Sequence, residues 1–218
     1  AVGGRRPTGE AMNVTIVGTG NMGRAIATRA LAGGHRVTLV GTELGKAQRL
    51  ADELTGLGDV TAAEEVSGQL VVLAVPYTEA PHVVAQHADA LAGTVVVDPT
   101  NPIDLAAMEP LADVDGSGAE TIADAAPDGV PVVKAFNTAF AGTVLSGAVD
   151  GLPLDVFLAA DDDDAKQTVA QLVRDGGMRP IDAGELRRAA QLEALGYLHM
   201  RIQHNFDAPF ASAVKILT

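Results

Sequence analysis

The stretch that most constrains this chain is Val14-Thr15-Ile16-Val17-Gly18-Thr19-Gly20-Asn21-Met22-Gly23. An apolar, β-branched run breaks into Gly-x-Gly-x-x-Gly and then into residues at helical spacing. A glycine pattern alone says little, but its setting says more. The run before it reads as a buried strand. Arg24 to Leu31 keeps apolar residues at helical intervals, Gly33-Gly34 stops that helix, and Arg36 to Val40 reads as a second strand. A strand–helix–strand unit of about 30 residues is the setting in which this fingerprint binds a dinucleotide. Gly18 makes the tight turn, Gly20 lets a pyrophosphate approach the backbone, and Gly23 lets the helix pack on the strand. The pyrophosphate is expected on the free N–H groups of the helix start, with Thr19, Asn21 and Met22 beside it.

The remainder alternates in the same way. Helices are expected at Gly45–Leu54, Glu79–Leu91, Ala119–Ala125 and Asp164–Arg174, with a long final helix from about Glu185 to His204. Apolar runs at Val60, Leu70–Val75, Thr94–Asp98, Val130–Phe136, Leu154–Ala159 and Met178–Ile181 read as strands. Strands apolar on every face, alternating with helices, imply a parallel sheet covered on both sides. The expected fold class is therefore α/β: a Rossmann-type doubly wound, mostly parallel sheet with a C-terminal α/β extension ending in a long helix. Residues 1–11 show no periodicity and read as a leader, 12–150 as the dinucleotide-binding domain, and 151–218 as an extension continuous with it. Ligands in such sheets bind at the carboxyl ends of the strands. That rule selects the loops Gly18–Gly23, Pro76–Thr78, Pro99–Pro102 and Asn137-Thr138.

Composition removes several classes. The chain has no Cys, so disulfides, thiolate metal sites and cysteine nucleophiles are excluded. A net charge of -13 argues against nucleic-acid or anionic-membrane partners. No apolar stretch is long enough to span a bilayer and no signal-peptide pattern is present, so the expected location is the cytoplasm. Asp161 to Asp164, at the start of a helix, read as capping residues. His82 and His87 are spaced too far apart to share a helix face, so no metal site is expected. His35, just before the second strand, reads as a surface residue.

Several segments together resemble the family of NADP-dependent oxidoreductases acting on the deazaflavin coenzyme F420, and the related reductase domain of membrane ferric reductases. They are Met12 to Gly23, Val71 to Pro76, Val132-Val133-Lys134-Ala135-Phe136-Asn137-Thr138, Ala160 to Lys166, Arg179 to Gly184, the Leu192-Glu193 region and Val214 to Leu217. The resemblance implies hydride transfer between NADP, or NAD, and a deazaflavin or flavin (F420, FMN or FAD), with the cofactors carrying the reaction and the protein stacking two rings. Val75, Pro76 and Tyr77 would wall the nicotinamide side. Asn101 and Pro102, with Ala135, Asn137 and Thr138 of the Lys-Ala-Phe-Asn-Thr segment, would line the second ring, Phe136 serving the core instead. No catalytic side chain is assigned, although Asn137 could hydrogen-bond a ring carbonyl or amide. The partner is a small-molecule redox substrate. The resemblance makes a homodimer plausible, with Leu192, Leu195, Leu198 and Ile202 as core or seam.

The chain departs from the family after the second strand. NADP-preferring members commonly read Gly-Ser-Arg there; this chain reads Gly41-Thr42-Glu43. Thr42 keeps a hydroxyl, but Glu43 places a carboxylate near the expected ribose, which favours a free 2′-hydroxyl over a phosphate. Lys46, Arg24 and Arg49 are the nearest cations. Two rival functions stand beside the hydride-to-flavin reading. One is a dehydrogenase or imine reductase of a small molecule, which needs a proton donor from among Tyr77, His82 and Lys134. The other is an NAD(P)-binding sensor without turnover.

Overall fold

The structure is a computed structural model and describes residues 10–217 except 105, 113 and 115. Residues 1–9 of the expected leader lie outside the described residues. An eight-stranded sheet organises the chain. Its strands are β1 (Asn13–Val17), β2 (Arg36–Val40), β3 (Val60–Ala63), β4 (Leu70–Leu73), β5 (Val95–Asp98), β6 (Val132–Lys134), β7 (Asp155–Ala159) and β8 (Arg179–Gly184). The spatial order is β8-β7-β6-β5-β4-β1-β2-β3. The first six strands are parallel and follow the doubly wound order 3-2-1-4-5-6. β7 joins antiparallel to β6 through the Ala159–Lys134 pair, and β8 runs parallel to β7.

Burial explains why the central strands are apolar throughout. All four residues of β4 are buried, with Leu70 and Val72 facing one apolar cluster and Val71 and Leu73 the other. The first cluster is closed by α1 (Asn21–Ala32), α2 (Leu44–Leu54) and α7 (Asp163–Asp175). The second is closed by α3 (Ala80–Gln86), α4 (Ala88–Leu91) and α5 (Gly118–Ala125). Ala25, Ala27 and Ala30 are fully buried on α1, where small side chains let the helix lie close to the sheet.

Several elements differ from the sequence reading. β4 stops at Leu73, before Pro76, because the chain turns at Ala74 to meet the glycine loop. The helix expected over Glu79–Leu91 divides at His87 into α3 and α4, the second carrying Leu91 into the core. α6 (Ala141–Ser146) carries no strong periodicity; it ends on left-handed Gly147, whose N–H reaches the Thr143 and Val144 carbonyls. Two short ribbons, Ile103–Asp104 with Glu109–Pro110 and Ala148–Val149 with Leu152–Pro153, are too short to read from pattern. The final helical stretch consists of α8 (Ala189–Arg201) between single 3-10 turns. Asp162 caps α7, its carboxylate accepting the Ala165 N–H at 2.8 Å. His35 is buried rather than on the surface: its Nδ1 accepts the Met12 N–H at 3.2 Å and its Nε2 faces Asp175 at 3.5 Å.

The segment after α8 folds back over β7 and β8. Ser212 Oγ meets His199 Nε2 at 2.9 Å and Gln203 Oε1 at 3.0 Å. Further on, buried Asp155 accepts Arg179 Nε at 2.7 Å, Lys215 Nζ at 2.5 Å and the Ile216 N–H at 2.9 Å. Burial alone would raise the Asp155 pKa. The hydrogen bonds from Arg179, Lys215 and Ile216 override it and hold the group at about 2.

Candidate active site

The carboxyl ends of β1, β2, β4, β5 and β6 form one edge of the sheet, and the loops leaving them hold nearly every residue singled out above. The glycine loop is fixed by contact. Gly18 has φ +116°, and a Cβ there would lie 2.1 Å from the Ala74 carbonyl oxygen. Its N–H donates to the Val40 carbonyl at 2.8 Å. A Cβ on Gly23 would lie 2.1 Å from the Gly18 carbonyl oxygen, so the helix start sits directly on the turn. Gly20 is the opposite case: a Cβ there would meet nothing within 4 Å. Gly20 is also the N-cap of α1, which has no side-chain cap and no acidic residue in its first turn. The loop thus presents bare backbone, open space and the positive end of a helix dipole at one point, and these fit a pyrophosphate. Asn21 is exposed and Thr19 half-buried, while Met22 packs partly on the core.

The two sides of the loop differ. Beyond β2, a Cβ on Gly41 would touch the Thr19 methyl at 3.2 Å, which places Thr42 and Glu43 beside the glycine loop. Glu43 is exposed and pairs with Lys46 at 2.7 Å. The hydrogen bond and charge of Lys46, with the charge of Arg49, hold its carboxyl below the usual range. Arg24 is paired with Glu53. Beyond β4, Val75 approaches Gly18, and Pro76 is exposed at the rim. Tyr77 lies against α5, where a Cβ on Gly118 would meet its ring at 2.8 Å.

Past β5 and β6 the loops are locked together. Asn101 Nδ2 donates to the Asn137 carbonyl at 2.8 Å, and Asn137 Nδ2 donates back to Asn101 Oδ1 at 2.9 Å and to the Leu192 carbonyl at 3.0 Å. Asn137 Oδ1 is buried without a partner, as is Thr100 Oγ1. Pro102 is half-buried beside them. Ala135 and Phe136 lie beneath, fully buried in the core, Phe136 at φ +66°. Thr138 is buried, and its carbonyl faces His199 Nδ1 at 2.9 Å. Of the proton-donor candidates, His82 is exposed on α3, and Lys134 is fully buried between Asp98 and Glu193. The sequence reading assigned Asp98 and Glu193 no site role, although Leu192-Glu193 is among the segments that carry the resemblance. The available signals were a lysine ending an all-apolar strand and a glutamate on the apolar side of the last helix.

A glycine turn that excludes a side chain, set below an uncapped helix on a 3-2-1-4-5-6 sheet, defines a dinucleotide-binding protein of the Rossmann type. Residues 13–102 match the family described as NADP oxidoreductase, coenzyme F420-dependent. The chain is 35% identical over 187 residues to the metalloreductase STEAP3 of Rattus norvegicus, covering 85% of this chain and 36% of that protein. It is 29% identical over 202 residues to the F420-dependent NADP reductase of Methanothermobacter marburgensis, covering 84% of this chain and 89% of that one. A solved chain from Arthrobacter sp. FB24, provisionally assigned as an F420-dependent NADP reductase, superposes with TM-score 0.78 at 28% identity over 92% of this chain and 97% of that chain. By these likenesses the chain is similar to NADP-dependent reductases.

Proposed function

We propose that this protein transfers hydride between a nicotinamide dinucleotide, NADP(H) first and NAD(H) second, and a deazaflavin or flavin, coenzyme F420 foremost. The observation that carries the reading is the glycine loop: open space at Gly20 above an uncapped helix, with Val75 beside it and the Asn101–Asn137 pair on the acceptor side. The bound cofactor would supply the hydride chemistry. The protein's part is to seat the pyrophosphate on α1, hold the two rings in register and exclude water. Residues 12–150 would form the nucleotide-binding unit and 151–218 its extension. A homodimer fits the exposed Leu198, Ile202, Phe206 and Phe210 on and after α8, and a cytoplasmic site fits a chain without cysteine.

The small-molecule reading needs a proton donor, and Lys134 has all three N–H bonds committed inside the protein. That leaves Tyr77. Tyr77→Phe is expected to keep F420 turnover within about twofold of wild type, since removing one general acid typically costs at least a hundredfold where it is used. A hundredfold loss, measured as steady-state kcat, would favour the dehydrogenase or imine-reductase reading.

Nucleotide choice turns on Glu43. The carboxylate pairs with Lys46, one of the three cations that could meet a 2′-phosphate. Glu43→Arg should free Lys46 and add a second cation. The ratio of NADPH to NADH dissociation constants is expected to shift toward NADPH by about tenfold or more, measured by titration calorimetry. An unchanged ratio would place the ribose away from Glu43.

A further inference from the structure

Three chain segments that line the cleft meet at one buried ammonium. Lys134 is fully buried at the end of β6, and its Nζ lies 2.8 Å from Asp98 Oδ2, 2.7 Å from Glu193 Oε1 and 2.6 Å from the Thr100 carbonyl oxygen. Each partner carries part of the acceptor side. Asp98 Oδ1 also accepts the Thr100 N–H at 2.8 Å, so both backbone polar groups of Thr100 are tied to the same ion pair. Glu193 Oε2 accepts the Gly118 N–H at 3.0 Å and Oε1 the Ala119 N–H at 3.2 Å. The carboxylate thus sits at the start of α5, where the dipole favours it, next to the Tyr77 ring. Immediately after Thr100 comes Asn101, locked to Asn137. There α8 passes so close that a Cβ on Gly196 would lie 2.8 Å from the Asn137 carbonyl oxygen and 3.1 Å from Asn101 Oδ1.

Packing alone does not call for this arrangement. A buried charge is costly unless paired, and an apolar side chain of similar volume would fill the same space with no charge to bury. An ammonium does what an apolar group cannot: through three acceptors it ties two distant segments, Asp98–Thr100 and α8, to the end of β6 and fixes their directions. All three segments lie at the carboxyl edge of the sheet. The glycine loop is outside the network, being held by Val40 and Ala74.

We propose that Lys134, with Asp98 and Glu193, is the positioning device for the acceptor. It sets the Thr100–Asn101 backbone and the start of α5 against α8, and so sets where the acceptor ring lies relative to the nicotinamide. The proposal rests on the hydride-transfer reading above. Hydride transfer is steep in distance, and a displacement of about 1 Å can cost on the order of a hundredfold. The network should therefore be visible in turnover before it is visible in nucleotide affinity.

The test uses the full chain and two variants. Glu193→Gln keeps the shape of the side chain but turns one oxygen into an amide that must face either Lys134 or the α5 N–H groups. Gly196→Ala leaves every charge in place and pushes α8 off the Asn101–Asn137 pair. For both, the kcat and acceptor KM with F420, the dissociation constant of NADPH, and amide exchange at Thr100, Asn101 and residues 118–120 are measured. The expected result is an NADPH dissociation constant within about twofold of wild type, faster exchange in those two segments, and a loss of roughly tenfold or more in kcat over acceptor KM. Turnover unchanged in both variants despite faster exchange would overturn the proposal and leave the network a purely structural strut. A parallel loss of NADPH affinity would overturn it too. Wild-type protein that reduces no deazaflavin or flavin would instead remove the reading on which the proposal stands, and the proposal with it.

Discussion

Gly20→Val should leave the protein folded and weaken NADPH binding by about a hundredfold or more, roughly 3 kcal/mol. The two halves of that expectation come from one observation. A Cβ at Gly20 meets no protein atom within 4 Å, so a side chain there starts in open space rather than in the fold. It exchanges one N-cap residue for a poorer one, at about 1 kcal/mol. The space it fills is where the pyrophosphate of the proposed nucleotide would approach the N–H groups of α1. Gly18→Ala is the contrast. Its Cβ would lie 2.1 Å from the Ala74 carbonyl oxygen, at φ +116°, so the turn itself must move. That variant should lose stability as well as binding. Thermal melts with and without NADPH separate the two: Gly20→Val loses the ligand-induced rise in Tm while keeping the apo Tm within a few degrees. A variant that binds NADPH normally would mean the nucleotide does not sit on α1.

The second large effect lies far from the cleft. Asp155→Asn should destabilise the fold by about 3 kcal/mol at pH 7, because it removes the carboxylate on which Arg179, Lys215 and the Ile216 N–H converge. Its pH dependence is specific. The folded-state pKa of about 2 lies below the unfolded value near 4, so its stabilisation is fully present above that unfolded value. It is lost as pH falls from about 4 toward 2, and amounts to on the order of 2 kcal/mol. Urea unfolding of wild type and variant across that range should show the difference narrowing as the acid side is approached. A difference that stays constant with pH, or stays below about 1 kcal/mol throughout, would show that the C-terminal segment is held by other contacts.

What could be read from sequence follows from the range of the interactions involved. The glycine loop and six parallel strands were legible because each is a local pattern: β-branched runs, a stop at glycine or proline, helical spacing between them. β2 falls at Arg36–Val40 as read, and β1 and β5 within a residue of it. The Asn101 and Asn137 loops were legible as loops, since both follow strands whose carboxyl ends must face the cleft. Their reciprocal amide bonds were not, because the partners are 36 residues apart. Lys134 and Glu193 are 59 residues apart, and only the register of α8 over the sheet brings them together. The same holds for Asp155 and Lys215, 60 residues apart. His35 misled because a lone histidine before a strand carries no local sign of burial; the contact that buries it comes from Asp175 at the end of α7.

The most direct test of the account is anaerobic oxidation of NADPH and of NADH, each with oxidised F420, FMN and FAD in turn. The account predicts rapid reduction of F420 by NADPH, with NADH slower and FMN and FAD weaker acceptors. Tight NADPH binding with no turnover on any of the three acceptors would contradict it and leave the protein a nucleotide sensor or a reductase of some other small molecule.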